Sequence, residues 1–124
     1  MIVKKIFGYI CNKIVTGAVY YKVQRVLTLF GERRYIDYPF LIQGEENMEI
    51  AENVHIGPGA TIYTTNAKLK IKQHVITGPN LTIITGDHKY VLGRWIDSVS
   101  SAEKEKEYDK DVIIEEDVWI GCNV

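Results

Sequence analysis

The first part of the chain carries apolar residues at helical spacing. Placed at about 100° per residue, the apolar side chains gather in one arc, formed by Ile2, Val3, Ile6, Phe7, Ile10 and Ile14. Polar and small residues lie opposite, at Lys4, Lys5, Gly8, Asn12 and Thr16. This pattern predicts an amphipathic helix. Its continuation, residues 15–30, has apolar residues on all sides, and Gly17 is a point where it could bend or split.

From Ile36 onward the helical spacing gives way to short β-branched runs separated by Gly and Pro, and a six-residue repeat follows. Three blocks open with Ile50, Ile56 and Ile62. After three extra residues the phase resumes at Ile71, Thr77 and Ile83. It is lost for 25 residues and returns at Ile114 and Ile120.

A six-residue period of this kind corresponds to one short strand and a corner. Three such units close a triangular coil of about 18 residues, whose opening aliphatic residues point to the axis and whose coils stack like neighbouring β-strands. The sequence therefore predicts a mainly β fold, a parallel β-helix preceded by the helix. An antiparallel sandwich is disfavoured, because the six-residue repeat keeps its phase across both the three-residue and the 25-residue insertion and would then be an accident. The expected organisation is a helical segment at 1–35 and a β-helix at 36–124 with an external loop at 89–110.

Charge separates the two segments. The whole chain has 15 Lys and Arg against 16 Asp and Glu, which is too balanced for a protein that mainly grips nucleic acid. Residues 1–31, however, hold five basic residues and no acid. Two interpretations follow: the helix packs on its own domain or on a partner subunit, which we favour, or it makes peripheral contact with an anionic membrane surface.

The remaining composition points to a cytoplasmic protein. No run of 18 uncharged apolar residues is present, and the residues after Lys5 make a poor signal peptide. Cys11 and Cys122 lie in dissimilar segments and form neither a metal-binding nor a redox spacing, which fits a reducing compartment.

Two short motifs resemble a known family. Residues 56–60 (Ile-Gly-Pro-Gly-Ala) and 117–121 (Asp-Val-Trp-Ile-Gly) are similar to hexapeptide-repeat acyltransferases, which fold as a left-handed parallel β-helix. The resemblance covers about residues 36–124. Residues 78–88, the long loop and residues 111–121 together resemble the branch of maltose, galactoside and capsule-sugar O-acetyltransferases. This implies acetyl-CoA as acyl donor, a sugar or similar polyol as acceptor, and a site between the subunits of a homotrimer.

The resemblance also implies roles for individual residues. His88 matches the general base of the family, and Trp119 matches a tryptophan near the acyl donor. Chemistry supports His88 independently, because acyl transfer to an alcohol needs a base for the hydroxyl proton and neutral imidazole suits that task near pH 7. Asn80 either orients the acceptor or the imidazole, or is a turn or ladder residue. The alternatives for His88 and Trp119 are a solvated corner histidine and a packing residue.

The long loop has two features of its own. Residues 100–107 carry Ser and acidic residues that suit the start of a short helix, and their alternating charges are typical of a solvated face. The preceding apolar residues, Tyr90, Val91, Leu92, Trp95 and Ile96, are expected to cover the active site or a neighbouring subunit.

Three further expectations complete the sequence-based interpretation. Zinc held by His55, His74 and His88 is disfavoured, because their positions in the repeat do not converge, so no metal is expected. A trimeric scaffold or binding module without catalysis is the alternative function. The chain stops at Val124, on the second face of a coil, and is expected to be a truncated form of a longer enzyme.

Overall fold

The computed structural model describes residues 2–30 and 33–124, with the side chains of Ile2, Thr16 and residues 19–30 left out of the description. Residues Ile2–Phe30 form one α-helix, α1, which continues through Gly17 without a break. Its described side chains from Val3 to Val15 are exposed, apart from the half-buried Cys11. These side chains therefore do not pack on the chain's own β-helix.

Ten short strands follow α1 and form three parallel sheets. Sheet A contains β1 (Arg34–Ile36), β4 (Val54–Ile56), β7 (Ile76–Thr77) and β10 (Trp119–Ile120). Sheet B contains β2 (Phe40–Gln43), β5 (Ala60–Tyr63) and β8 (Thr82–Ile84). Sheet C contains β3 (Met48–Ile50), β6 (Leu69–Ile71) and β9 (Val112–Ile114).

The register of these sheets confirms the predicted phase of the repeat. Ile50 pairs with Ile71 and Ile71 with Ile114, so the blocks on either side of both gaps lie in one ladder. Successive strands pass from sheet A to B to C and back, which is a parallel β-helix and is consistent with the left-handed coil of the family resemblance. The structure adds a coil before Ile50, because Ile36 pairs with Ile56 and Ile42 with Ile62.

The core is the stack of side chains that point to the axis of the coil. Along the strands buried and exposed residues alternate, as in Val54-His55-Ile56 and Leu69-Lys70-Ile71. Thr77 stands in the column of Ile36, Ile56 and Ile120, where its hydroxyl accepts a hydrogen bond from Gly57 N (3.1 Å). This hydrogen bond offsets the cost of burying a hydroxyl among aliphatic groups.

Two corners of the coil are built from stacked residues with positive φ. Asn53, His74 and Asp117 occupy one corner, and Gly59, Asn80 and Asn123 the next. Each is the fourth residue of its hexapeptide. Asn, Asp and Gly tolerate this left-handed conformation better than other residues do, which explains the composition of the corners.

The third corner, between sheets B and C, takes all the irregular length. The connection between the core residues on its two sides becomes longer in each coil. It runs from Ile42 to Ile50, then from Ile62 to Ile71, and then from Ile83 to Ile114. The longest connection contains three single-turn 3₁₀-helices, at Ile96–Ser98, Ser101–Glu103 and Lys106–Tyr108, and the second begins where the sequence predicts the start of a short helix. The Ser100 side chain and Glu103 form a capping box at the second of these turns.

Candidate active site

His88 follows β8 at the third corner, where the chain leaves the coil for the long loop. Its side chain is exposed, and its backbone N–H donates to Asp87 Oδ1 (2.7 Å). Within the described chain the imidazole has no hydrogen-bond partner, so both ring nitrogens are open to an incoming group. An exposed histidine at this corner fits both the predicted general base and the alternative, a solvated corner histidine.

A groove of about 570 Å³ runs beside His88. One wall is the outer surface of sheet B, and the other is the part of the long loop at residues 99–104. The groove-lining residues are Gln43, Tyr63, Thr65, Asn66, Ile84, Gly86, Asp87, His88, Lys89, Val99, Ser100, Ser101 and Lys104. Amide, hydroxyl and phenol groups therefore face the same space as the imidazole, a lining that suits a ligand with several hydroxyl groups.

A partly buried ion pair holds the base of this loop. Lys104 Nζ lies 2.6 Å from Asp109 Oδ1 and donates to the carbonyl oxygen of Asp87 (3.2 Å). Both charged side chains are only 13 % exposed. A Cβ at Gly86 would approach Asp109 Oδ1 to 2.6 Å, so the absence of a side chain at Gly86 makes room for the pair. The contacts fix the loop wall next to His88.

Two more ion pairs order the outer part of the loop. Arg94 Nη1 lies 2.7 Å from Glu103 Oε2, and its hydrogen bond, together with that from the Ser100 backbone N–H, lowers the pKa of Glu103 to about 2. Lys89 bonds to Glu105, which raises the pKa of Lys89 and lowers that of Glu105. The charged residues that the sequence indicated as a solvated face thus make specific contacts.

The apolar residues at the start of the loop do not cover the groove in the single chain. Tyr90, Leu92, Trp95 and Ile96 are exposed, Val91 is half-buried, and none of them lines the groove. The groove wall comes instead from Val99 and the polar residues after it. Contact of the apolar residues with a neighbouring subunit stays a prediction.

Trp119 lies on a different face from His88. It belongs to β10 of sheet A, pairs with Ile76, and is 81 % exposed. The same outward ladder continues through His55 to Tyr35. One chain therefore does not bring Trp119 and His88 together, and packing does not account for the exposed indole.

Asn80 occupies the corner before β8, at the opposite end of this strand from His88. Its φ is 60°, and its side-chain Nδ2 donates to Asn123 Oδ1 (3.0 Å) in the next coil. This is the turn and ladder geometry that the sequence left open as an alternative. A contact with acceptor stays a prediction, and in one chain it does not involve the groove at His88.

The three histidines lie at three different places on the coil. His55 is on the outer face of sheet A with Nε2 3.0 Å from Asp37 Oδ2, and His74 is at the corner between sheets C and A. Across residues 2–30 and 33–124, no group of three His, Cys, Asp or Glu side chains could hold a metal ion.

Comparison with known proteins gives one informative similarity. Galactoside O-acetyltransferase of Lactococcus lactis subsp. lactis (strain IL1403) is 27 % identical over 103 residues, which cover 82 % of this chain and 46 % of the relative. This chain is distantly homologous to that acetyltransferase. The chain spans about half the length of this relative. No family model matches the chain, and no solved structure matches it.

The homology and the three parallel sheets together confirm the resemblance to hexapeptide-repeat acyltransferases. In the part of the chain that the structure describes, no helix combines the length and apolarity needed to cross a bilayer.

Proposed function

We propose that this chain transfers an acetyl group from acetyl-CoA to a hydroxyl group of a sugar or similar polyol. The observation that carries the proposal is the open imidazole of His88 at the edge of a groove lined by amide, hydroxyl and phenol groups. The distant homology to galactoside O-acetyltransferase supports the acetyl donor and the class of acceptor.

In the proposed mechanism the His88 imidazole accepts the proton of the acceptor hydroxyl as its oxygen attacks the thioester carbonyl. The tetrahedral intermediate then collapses, the carbon–sulfur bond breaks, and the imidazolium returns the proton to the departing CoA sulfur. The acceptor gains the acetyl group, and the proton count balances. A hydrogen-bonding groove orients the reacting hydroxyl and lowers the entropic cost of the attack.

The proposed site is shared between copies of the chain in a homotrimer. In one chain Trp119 lies on sheet A, and Asn80 lies at the corner between sheets A and B. Asn80 is hydrogen-bonded to Asn123, which follows Trp119 in the last coil. A neighbouring copy that presents this region to the groove would place the proposed donor-binding Trp119 opposite His88. The separation of Trp119 and His88 within one chain supports this arrangement.

The test is a thiol-release assay of acetyl-CoA consumption against sugars, nucleotide sugars and amines. Acceptor-dependent release with hydroxyl acceptors, and mass spectrometry showing an O-acetyl product, is the expected result. Release with amines alone would indicate a different acyltransferase. A chain that is trimeric by light scattering but gives no release with any acceptor would favour the scaffold function.

A further inference from the structure

The first half of α1 presents an apolar arc that no described residue covers. Val3, Ile6, Phe7, Ile10 and Ile14 lie within this arc at helical spacing, and their exposed fractions range from 49 % at Ile10 to 78 % at Val3. The whole helix has 29 residues and is about 43 Å long at 1.5 Å per residue. The apolar arc itself runs from Val3 to Ile14, about 18 Å at 1.5 Å per residue, and an exposed apolar strip of this kind indicates a binding partner.

The charges around the arc show what that partner must carry. Lys13 borders the arc on one side, Lys4 lies beyond Cys11 on the other, and Lys5 is on the opposite face. No Asp or Glu occurs in residues 1–31. The three lysines make no ion pair with any described residue, although Lys13 Nζ lies 5.7 Å from the centroid of the Tyr9 ring. The described part of the helix, which includes Lys4, Lys5 and Lys13, therefore carries an uncompensated positive charge.

The basic side chains of the β-helix behave differently. Five of them have a carboxylate partner, in the pairs Lys70–Glu49, Lys72–Glu115, Lys89–Glu105, Arg94–Glu103 and Lys104–Asp109. Lys4, Lys5 and Lys13 have no such carboxylate partner among the described residues, and residues 1–31 contain no acidic residue that could supply one. They sit where they can meet negative charges supplied from outside the chain.

The apolar hollow on a second copy of the chain is a poor match for this helix. The β-helix has an apolar hollow of about 580 Å³ around Ile50 and Ile71, but Arg34, Lys70 and Lys72 line it together with Glu49 and Glu116. Its two carboxylates are already engaged, because Glu49 pairs with Lys70 and Glu116 accepts a hydrogen bond from Gln73. A helix that carries lysines beside its apolar arc finds no electrostatic complement there.

We propose that residues 3–15 of α1 bind the surface of an anionic bilayer. The helix lies in the plane of the interface with the apolar arc below the headgroups, and Lys4 and Lys13 contact lipid phosphates from the edges of the arc. Since no described helix can span a bilayer, the contact is peripheral. The proposal does not depend on the acetyltransferase function.

The test is co-sedimentation of the full chain with vesicles of phosphatidylcholine, alone or containing phosphatidylglycerol. We expect binding that requires phosphatidylglycerol and weakens with added salt. Reversal of the three lysines (Lys4→Glu, Lys5→Glu, Lys13→Glu) should lower the partition coefficient by roughly tenfold to a hundredfold. The matched control is Lys68→Glu, Lys106→Glu, Lys110→Glu, which makes the same change in net charge at exposed β-helix lysines outside any ion pair and should bind like the parent.

A second pair of variants tests the apolar arc. Phe7→Ser with Ile10→Ser should also release the chain from anionic vesicles, and unchanged thermal unfolding of the β-helix would show that the fold is intact. Equal binding of the two lysine variants, or no binding by the parent, would overturn the proposal. If the serine variant instead dissolves an oligomer seen by light scattering without vesicles, the arc binds a second copy and the membrane proposal is wrong.

Discussion

Ile83 and Ile84 are neighbours on β8, yet their side chains lie on opposite sides of sheet B. Ile83 is 8 % exposed and packs in the core, whereas Ile84 is 55 % exposed and lines the groove beside His88. One strand thus supports the fold with one residue and the candidate site with the next. The alternation allows the two contributions to be measured separately.

Alanine at these two positions should affect stability very differently. Ile83→Ala leaves a cavity in the axial column and should lower the free energy of unfolding by about 2–5 kcal/mol. Ile84→Ala removes an exposed side chain and should change it by about 0.5 kcal/mol or less. Urea denaturation of both variants measures the difference. Equal losses would show that the strand is not oriented as described.

His88→Ala should lower acetyl transfer by roughly 10²- to 10⁴-fold, because the acceptor hydroxyl loses its base. Folding should be unchanged, since the side chain is exposed. The matched control is His74→Asn, at an exposed corner whose φ of 61° suits asparagine. Thiol release measures both. Turnover of the His88 variant within a few-fold of the parent would remove His88 from the mechanism.

Trp119→Ala should raise the KM for acetyl-CoA by roughly three- to tenfold, because the indole is proposed to bind the acyl donor. Its exposure predicts no change in thermal stability. Tyr38→Ala removes an aromatic side chain that is 61 % exposed in the first coil and does not line the groove, and serves as the control. Steady-state kinetics at varied acetyl-CoA distinguishes the two. A KM that moves equally in both variants would count against a specific donor contact.

Gly57 should not tolerate a side chain, whereas Gly121 at the same corner should. A Cβ at Gly57 would lie 2.8 Å from the carbonyl carbon of Gly78, whereas a Cβ at Gly121, in the same stack, meets nothing within 4 Å. Gly57→Ala should therefore destabilise this chain by about 1–3 kcal/mol, and Gly121→Ala should be close to neutral. Chemical denaturation of both variants is the measurement, and a neutral Gly57 variant would show that the coils can separate there.

The ion pair at Glu103 should make the loop sensitive to acid. Its pKa is lowered from 4.5 to about 2, so its contribution is present above about pH 4.5 and is lost as the pH falls toward 2. The hydrogen bond from Arg94 is the main reason why the pKa of Glu103 is low. Arg94→Met removes it and should raise the pKa of Glu103, while the Ser100 N–H keeps that pKa below 4.5. Carbon-detected NMR titration of the Glu103 carboxyl measures this shift. The control is Lys106→Met in the same loop, and a pKa unaffected by Arg94→Met would contradict the described contact.

The sequence predicted the coil because the axis of a β-helix accepts few residue types. Ile71 and Ile114 pair across a long insertion, so both had to keep the same place in the repeat. The first coil was not recognised, because two extra residues between Ile42 and Ile50 shift its phase. The positive-φ corners had a usable signal, since Asn or Gly recurs at the fourth position, as at Asn53 and Gly59.

The candidate site was less accessible to sequence reasoning than the coil. His88 stood out because its residue type matches the chemistry and its position precedes a long loop. The groove was not evident from the sequence, because Tyr63 and Ser100 line the same space only once the loop folds back on sheet B. The pair of Lys104 and Asp109 likewise depends on the path of the loop, and nothing in the spacing of charged residues indicates it.

The long loop leaves and rejoins the coil at a single point, where Lys110 N donates to the carbonyl oxygen of Thr85 (2.9 Å). Because the two ends are already adjacent, a change of loop length costs little closure entropy and leaves the ladder from Ile71 to Ile114 in place. The outer part of the loop, residues 90–103, can therefore be exchanged while His88 and the pair of Lys104 and Asp109 stay in place. On the proposed function, such an exchange is a route to new acceptor preferences on an unchanged scaffold.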